Sequence, residues 1–123
     1  MTPTVHPVIT ITSEHFPISV NALFANVAGR GRVRTKRYNE WAQAAGWDCL
    51  GKGSITGPFQ ASIIISRKRA RANADLDNFP KGIIDLMVKH GIVEDDHLLQ
   101  RLTIEYGDCT GFCIELRPYL MPL

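Results

Sequence analysis

Apolar residues recur along the chain with two different periods. Val8-Ile-Thr-Ile-Thr12 is rich in β-branched residues and reads as a first strand. Phe16 to Asn21 breaks it, because Pro17 and Asn21 favour turns. From Thr35, which can cap a helix, Tyr38, Trp41, Ala42 and Ala45 fall at helical spacing. That pattern predicts a helix to about Cys49 with Tyr38 and Trp41 as packing residues. Gly51 to Pro58 reads as loop, and Phe59-Gln-Ala-Ser-Ile-Ile-Ile-Ser66 as a short buried strand.

A second helix should run from Asn78 or Phe79 to His90. Asp77 or Asn78 is available to cap it, Pro80 is tolerated in its first turn and Gly91 stops it. Phe79, Ile83, Leu86 and Met87 form its apolar stripe, while Lys81, Asp85 and Lys89 share another face. Leu102, Ile104 and Tyr106 then alternate, as do Phe112, Ile114 and Leu116 beyond the Gly107–Gly111 turn. This predicts a β-hairpin closed by Pro118. The expected α+β fold is a single four-stranded mixed sheet with two helices packed against it. All 123 residues fit one domain, with 1–7 as a loose N-terminal arm.

Composition adds little until position is considered. Apolar content of 45% and charged content of 21% suit a globular protein, and the net charge is only +2. Yet nine of the fourteen Lys and Arg residues lie in two runs, Arg30 to Arg37 and Arg67 to Arg71. Half of the twelve acids fall between Asp75 and Asp96. Such segregation predicts a basic surface beside an acidic pocket. Three cysteines, an odd number, and no recognisable signal peptide predict a reduced, cytoplasmic setting. The apolar runs are too short to span a bilayer.

The carboxylates carry the candidate chemistry. In an extended segment Asp75 and Asp77 point to the same side, with Leu76 facing the core. Asp95 and Asp96 lie beyond Gly91, where the chain can fold back toward them. Three or four converging carboxylates suit Mg²⁺ or Mn²⁺ better than zinc. An EF-hand fails, since its glycine and glutamate positions hold Pro80 and Leu86, and no P-loop or other organic-cofactor motif occurs. The basic runs, with Arg30, Arg32, Arg34, Arg67, Lys68, Arg69 and Arg71, are suited to phosphate contacts. The same acids also admit a structural account, with Asp77 as a cap, Asp85 paired with Lys81 or Lys89, and Glu94 to Asp96 as a solvated turn. His90 and His97 read as hydrogen-bonding bystanders.

Asp75-Leu-Asp77-Asn78, Lys81, Asp85, Gly91 and Asp95-Asp96 together resemble the RusA family of Holliday junction resolvases. Pro17, Ser19-x-Asn21 and the basic loop before Tyr38 are similar to its N-terminal region. The resemblance implies a homodimer that resolves four-way and branched DNA in recombination and repair, using Mg²⁺ with Mn²⁺ as substitute. It makes Asp75, Asp77 and Asp96 the metal-binding catalytic carboxylates, with Asp95 as their neighbour. Lys81 becomes the lysine that contacts phosphate or steadies negative charge. A rival reading is a branched-DNA-binding protein that does not cut.

Overall fold

The computed structural model describes residues 7–120. The expected loose arm therefore lies outside the described residues, apart from Pro7. Eight principal elements follow in order: β1 (Ile9–Ser13), β2 (Phe24–Val27), β3 (Gly31–Arg34), α1 (Lys36–Gly46), β4 (Phe59–Ser66), α2 (Pro80–Lys89), β5 (Leu99–Gly107) and β6 (Phe112–Pro118). Four strands form one mixed sheet in the order β1-β6-β4-β5, with β4 parallel to β5 and antiparallel to β6.

β4 takes the interior of the sheet because it is the strand most able to bury itself. Phe59, Ala61, Ile63 and Ile65 are all but inaccessible. They share a face with Ile9 and Ile11 of β1 and with Phe112, Ile114 and Leu116 of β6. Each of these Phe, Ile and Leu side chains contributes about 1.5–3 kcal/mol when removed from water. Both helices lie on this face. From α1 it receives Tyr38, Trp41, Ala42 and Ala45, and from α2 Phe79, Ile83, Ile84, Leu86 and Met87. The Trp41 ring nitrogen donates to the His15 carbonyl at 3.2 Å, fixing α1 to the segment after β1. These are the helical stripes that the sequence predicts.

Three expectations need correction. β5 and β6 are not a hairpin, because β4 lies between them. The apolar face of β5 is only partly covered, with Leu102 39% exposed, so β5 takes the edge. The 108–111 loop instead crosses the end of β4, where Ser66 N–H donates to the Gly111 carbonyl and Arg67 N–H to the Gly107 carbonyl. Second, the basic stretch is not all loop: β2 and β3 form a two-stranded antiparallel sheet. Gly29 and Gly31, at φ 76° and 72°, supply the left-handed backbone around its turn. Its strands are short and largely exposed, so the burial alternation that marks strands in sequence is missing. Third, neither Asp77 nor Asn78 caps α2, which starts at Pro80 without a side-chain cap.

Thr35 does cap α1, its hydroxyl accepting from Tyr38 N–H at 3.1 Å and donating to the Ala22 carbonyl at 2.6 Å. β1 begins at Ile9 rather than Val8, and α1 passes into a 3-10 turn over Trp47–Cys49.

The crossing loop demands a residue without a side chain. A Cβ on Gly111 would sit 2.5 Å from the Ser13 carbonyl oxygen and 2.6 Å from the Glu14 carbonyl carbon. Gly111→Ala should therefore destabilise the protein by about 1–3 kcal/mol, as overpacking does elsewhere. Urea unfolding monitored by tryptophan fluorescence measures this, and an unchanged midpoint would contradict the close approach.

Candidate active site

Two irregular segments flank the first turn of α2, and each is held by backbone bonds. After β4 the chain turns at once: the Ser66 hydroxyl accepts from Arg69 N–H at 3.2 Å. A second turn closes with Ala74 N–H on the Arg71 carbonyl, and the Tyr106 hydroxyl of β5 donates to the Ala74 carbonyl at 3.2 Å. Asp75 follows, and Leu76–Asn78 forms a single 3-10 turn. Leu76 packs against the core as expected, while Asp75 and Asp77 are exposed. The extended geometry expected for the Asp75–Asp77 pair is replaced by this turn, because the chain is already winding toward Pro80.

The second segment lies between α2 and β5. Ile55 N–H donates to the Ile92 carbonyl at 2.7 Å, and Gly57 N–H donates to the Glu94 carboxylate at 2.6 Å. Next, Asp95 caps the 3-10 turn Asp96–Leu98, its carboxylate lying 3.3 Å from His97 N–H and 3.1 Å from His97 Nδ1. Hydrogen bonding by His97 foremost, and by Asp96 after it, holds the Asp95 carboxyl down at about 2, against an ordinary 3.8.

Lys81 links this turn to the helix. Its ammonium lies 2.8 Å from Asp96 Oδ2 and 3.1 Å from Asp85 Oδ1. Those two partners, Asp96 foremost, raise the lysine above its usual value against the opposing effect of burial. Asp85, only 10% exposed, also accepts from Arg34 Nη2 at 2.7 Å. The Arg34 guanidinium lies over both the Phe24 and Tyr38 rings, at 4.2 and 4.3 Å. Its Nη1 is buried with no hydrogen-bond partner among the described residues. A cavity of about 390 Å³ reaches from Arg34 and Tyr38 past Asp85 to Asp96.

The expected site residues thus separate. Asp95, Asp96 and His97 are the group of three or more metal-capable side chains, among the described residues, whose donor atoms all lie within 4.8 Å of one another. Asp75 and Asp77 stand outside that group. Hard carboxylate oxygens with one imidazole nitrogen fit a divalent ion of the Mg²⁺ or Mn²⁺ type. His97, read from sequence as a bystander, belongs to the cluster, and its position directly after the aspartate pair was the available signal. Asp85 is the structural ion-pair residue expected of it, although its second partner is Arg34 and not Lys89.

The basic residues divide as well. Arg30 and Arg32 are exposed around the β2–β3 turn, whereas Arg34 faces inward. Arg67 lies over the Tyr106 ring at 4.0 Å, and Arg69 donates to the Glu14 and Thr110 carbonyls. Lys68 and Arg71 are exposed. No helix of the described residues is long and apolar enough to cross a membrane.

The family model described as endodeoxyribonuclease RusA matches residues 16–117. That span takes in both turns, Lys81 and both basic runs. No curated protein matches the chain.

Two measurements check this geometry. Asp85→Ala should cost roughly 2–3 kcal/mol, below the ~3–5 of a fully buried pair because Arg34 and Lys81 remain partly solvated. Thermal or urea denaturation reads that loss. Asp95 should titrate near 2 by ¹³C NMR and move back toward 3.8 in His97→Ala. Its depressed value adds stability that is present above about pH 4 and lost as pH falls toward 2. An Asp95 carboxyl indifferent to His97 would contradict the contact.

Proposed function

The chain belongs to the RusA family of endodeoxyribonucleases, and from that membership we propose that it is a divalent-metal-dependent Holliday junction resolvase acting as a homodimer in recombination and repair. The observation that carries this reading is the contact of Lys81 with Asp96. It joins the Asp95–Asp96–His97 donor cluster to the helix that Asp75 and Asp77 immediately precede.

In this reading Asp75, Asp77 and Asp96 would hold Mg²⁺, with Mn²⁺ able to substitute, Asp75 and Asp77 joining from outside the Asp95–Asp96–His97 group. Such an ion supplies a water of lowered pKa and neutralises charge at phosphorus. The rest falls to the protein's own groups. Lys81 Nζ, held by two carboxylates, is a fixed positive charge able to steady the negative charge that develops on the scissile phosphate. Asp85 positions that ammonium, and Arg34 restrains Asp85 from the hairpin side. The exposed Arg30, Arg32, Lys68 and Arg71 are free to contact backbone phosphates, as is the exposed Arg67 where it lies over Tyr106. Arg34 faces inward to Asp85, and the exposed Arg69 is tied to two backbone carbonyls.

Recognition then depends on branch shape and phosphate position more than on base edges, with binding that weakens as salt rises. A two-fold dimer would set equivalent sites against two strands of a junction of matching symmetry. The partly covered β5 edge, with Leu102 and Ile104 incompletely buried, leaves apolar surface compatible with a partner copy.

The test is cleavage of a synthetic four-way junction and a matched linear duplex with Mg²⁺, Mn²⁺ or EDTA. Wild type should nick the junction symmetrically and only with metal. Asp77→Asn should keep the fold and lose at least about 10²-fold in rate, since even outer-sphere changes at metal sites cost 10–100-fold. Tight junction binding with no nicks under any ion would instead identify a non-cleaving branched-DNA-binding protein.

A further inference from the structure

A second cavity of about 390 Å³ has Asp75 in its lining. Arg37 from the first turn of α1 lines it together with Arg69 and Arg71 from the turn after β4, and Ser19, Asn73, Asp75 and Asn78 complete its polar wall. Segments far apart in sequence therefore bring three guanidinium groups to one concavity. None of the three has a carboxylate within ion-pair distance among the described residues. By contrast, the inward-facing Arg34 is neutralised by Asp85.

With Asp75 as the one carboxylate in the lining, three guanidinium groups leave a net positive charge that favours entry of an anion. The geometry is also prepared for one. All three arginines are exposed, and Arg69 is anchored by its bonds to the Glu14 and Thr110 carbonyls. The Ser19 hydroxyl accepts from Asn21 N–H at 3.4 Å, and its own proton has no acceptor among the described residues. One wall is apolar: Phe16 and Phe79 meet edge to face at 5.3 Å beside Pro17. Guanidinium forks and a hydroxyl donor next to an apolar wall match a phosphodiester with its deoxyribose.

We propose that this cavity seats the nucleotide flanking the scissile phosphate, with Arg37 and Arg71 clasping its phosphate and Phe16 and Phe79 packing on its sugar. Asp75 sits at the junction of seat and active site, so a strand held in the cavity is delivered directly to the carboxylates. Arg37 thereby becomes a substrate-binding residue. The nuclease reading supplies the identity of the strand, while the seat itself follows from the cavity.

Uniformly ¹⁵N-labelled protein is titrated with the dinucleotide pTpT without divalent ion, wild type beside Arg37→Gln/Arg71→Gln. Resonances of Ser19, Phe79 and the two arginines should shift in wild type. Affinity should fall at least about tenfold in the double variant, the scale of a lost hydrogen bond to a charged group, with the rest of the spectrum unchanged. Lys52→Gln, in the 51–58 loop, should bind as wild type. Shifts located elsewhere, or undiminished affinity in the double variant, would overturn the seat. The same proteins are then assayed on the four-way junction. Cutting by wild type and double variant alike, with equal salt dependence of binding, overturns the seat and leaves the nuclease reading. Dinucleotide binding at the seat by a protein that neither binds nor cuts junctions supports the seat and overturns the nuclease reading.

Discussion

Asp85 is the charge on which the functional edge depends. A carboxylate 10% exposed is stable only when its charge is matched, and here two cations match it from separate directions. Arg34 arrives from the β2–β3 hairpin and Lys81 from one helical turn earlier on α2. One acid therefore docks an exposed hairpin against the core layer and sets where the lysine ammonium stands. Lys81 has a further bond to make, and it makes it to Asp96 in the turn before β5. The ion-pair chain Arg34–Asp85–Lys81–Asp96 crosses three elements: β3, α2 and the turn before β5. A polar network of this kind fixes a geometry more than it adds net stability.

The sheet topology explains why these elements meet. β4 is central and parallel to β5, so the chain between them must cross over, and α2 is that crossover. Both ends of a crossover are irregular. Here the entry carries Asp75 and Asp77 and the exit carries Asp95 and Asp96. Each end is then tied to a neighbour, the entry through Tyr106 to the Ala74 carbonyl and the exit through Gly57 to Glu94. Side chains on short turns are thereby given the fixed backbone that a charged site needs.

The arginines show that sequence clustering does not equal a uniform surface. Residues from one run take opposite roles according to what lies beneath them. Arg34 is held between aromatic rings and the largely covered Asp85, whereas Arg37 and Arg71 line a shared cavity with Arg69, which is tied to two carbonyls. Phe24, Tyr38, Phe16 and Tyr106 supply the ring faces over which guanidinium groups settle. A ring face alone does not make a cation structural: Arg67 lies over Tyr106 and stays exposed, whereas Arg34 lies over Phe24 and Tyr38 and also reaches Asp85.

Local rules were enough to read much of the chain. β4, the Thr35 cap, the stripes of α1 and α2 and the stop at Gly91 are dictated by nearest neighbours and by 3.6-residue or two-residue periods, which a sequence displays directly. The spacing of Asp75, Asp77, Lys81 and Asp95-Asp96 was likewise legible, and with it the family. The tertiary structure alone decided that β4 separates β5 from β6, since pairing depends on which strand can bury itself best and not on adjacency in the chain. It alone turned Arg34 inward to Asp85, joined Lys81 to Asp96 and set Arg37 in the cavity that Asp75 lines. Those choices follow from desolvation and from distances between segments that lie tens of residues apart, quantities that no local pattern encodes.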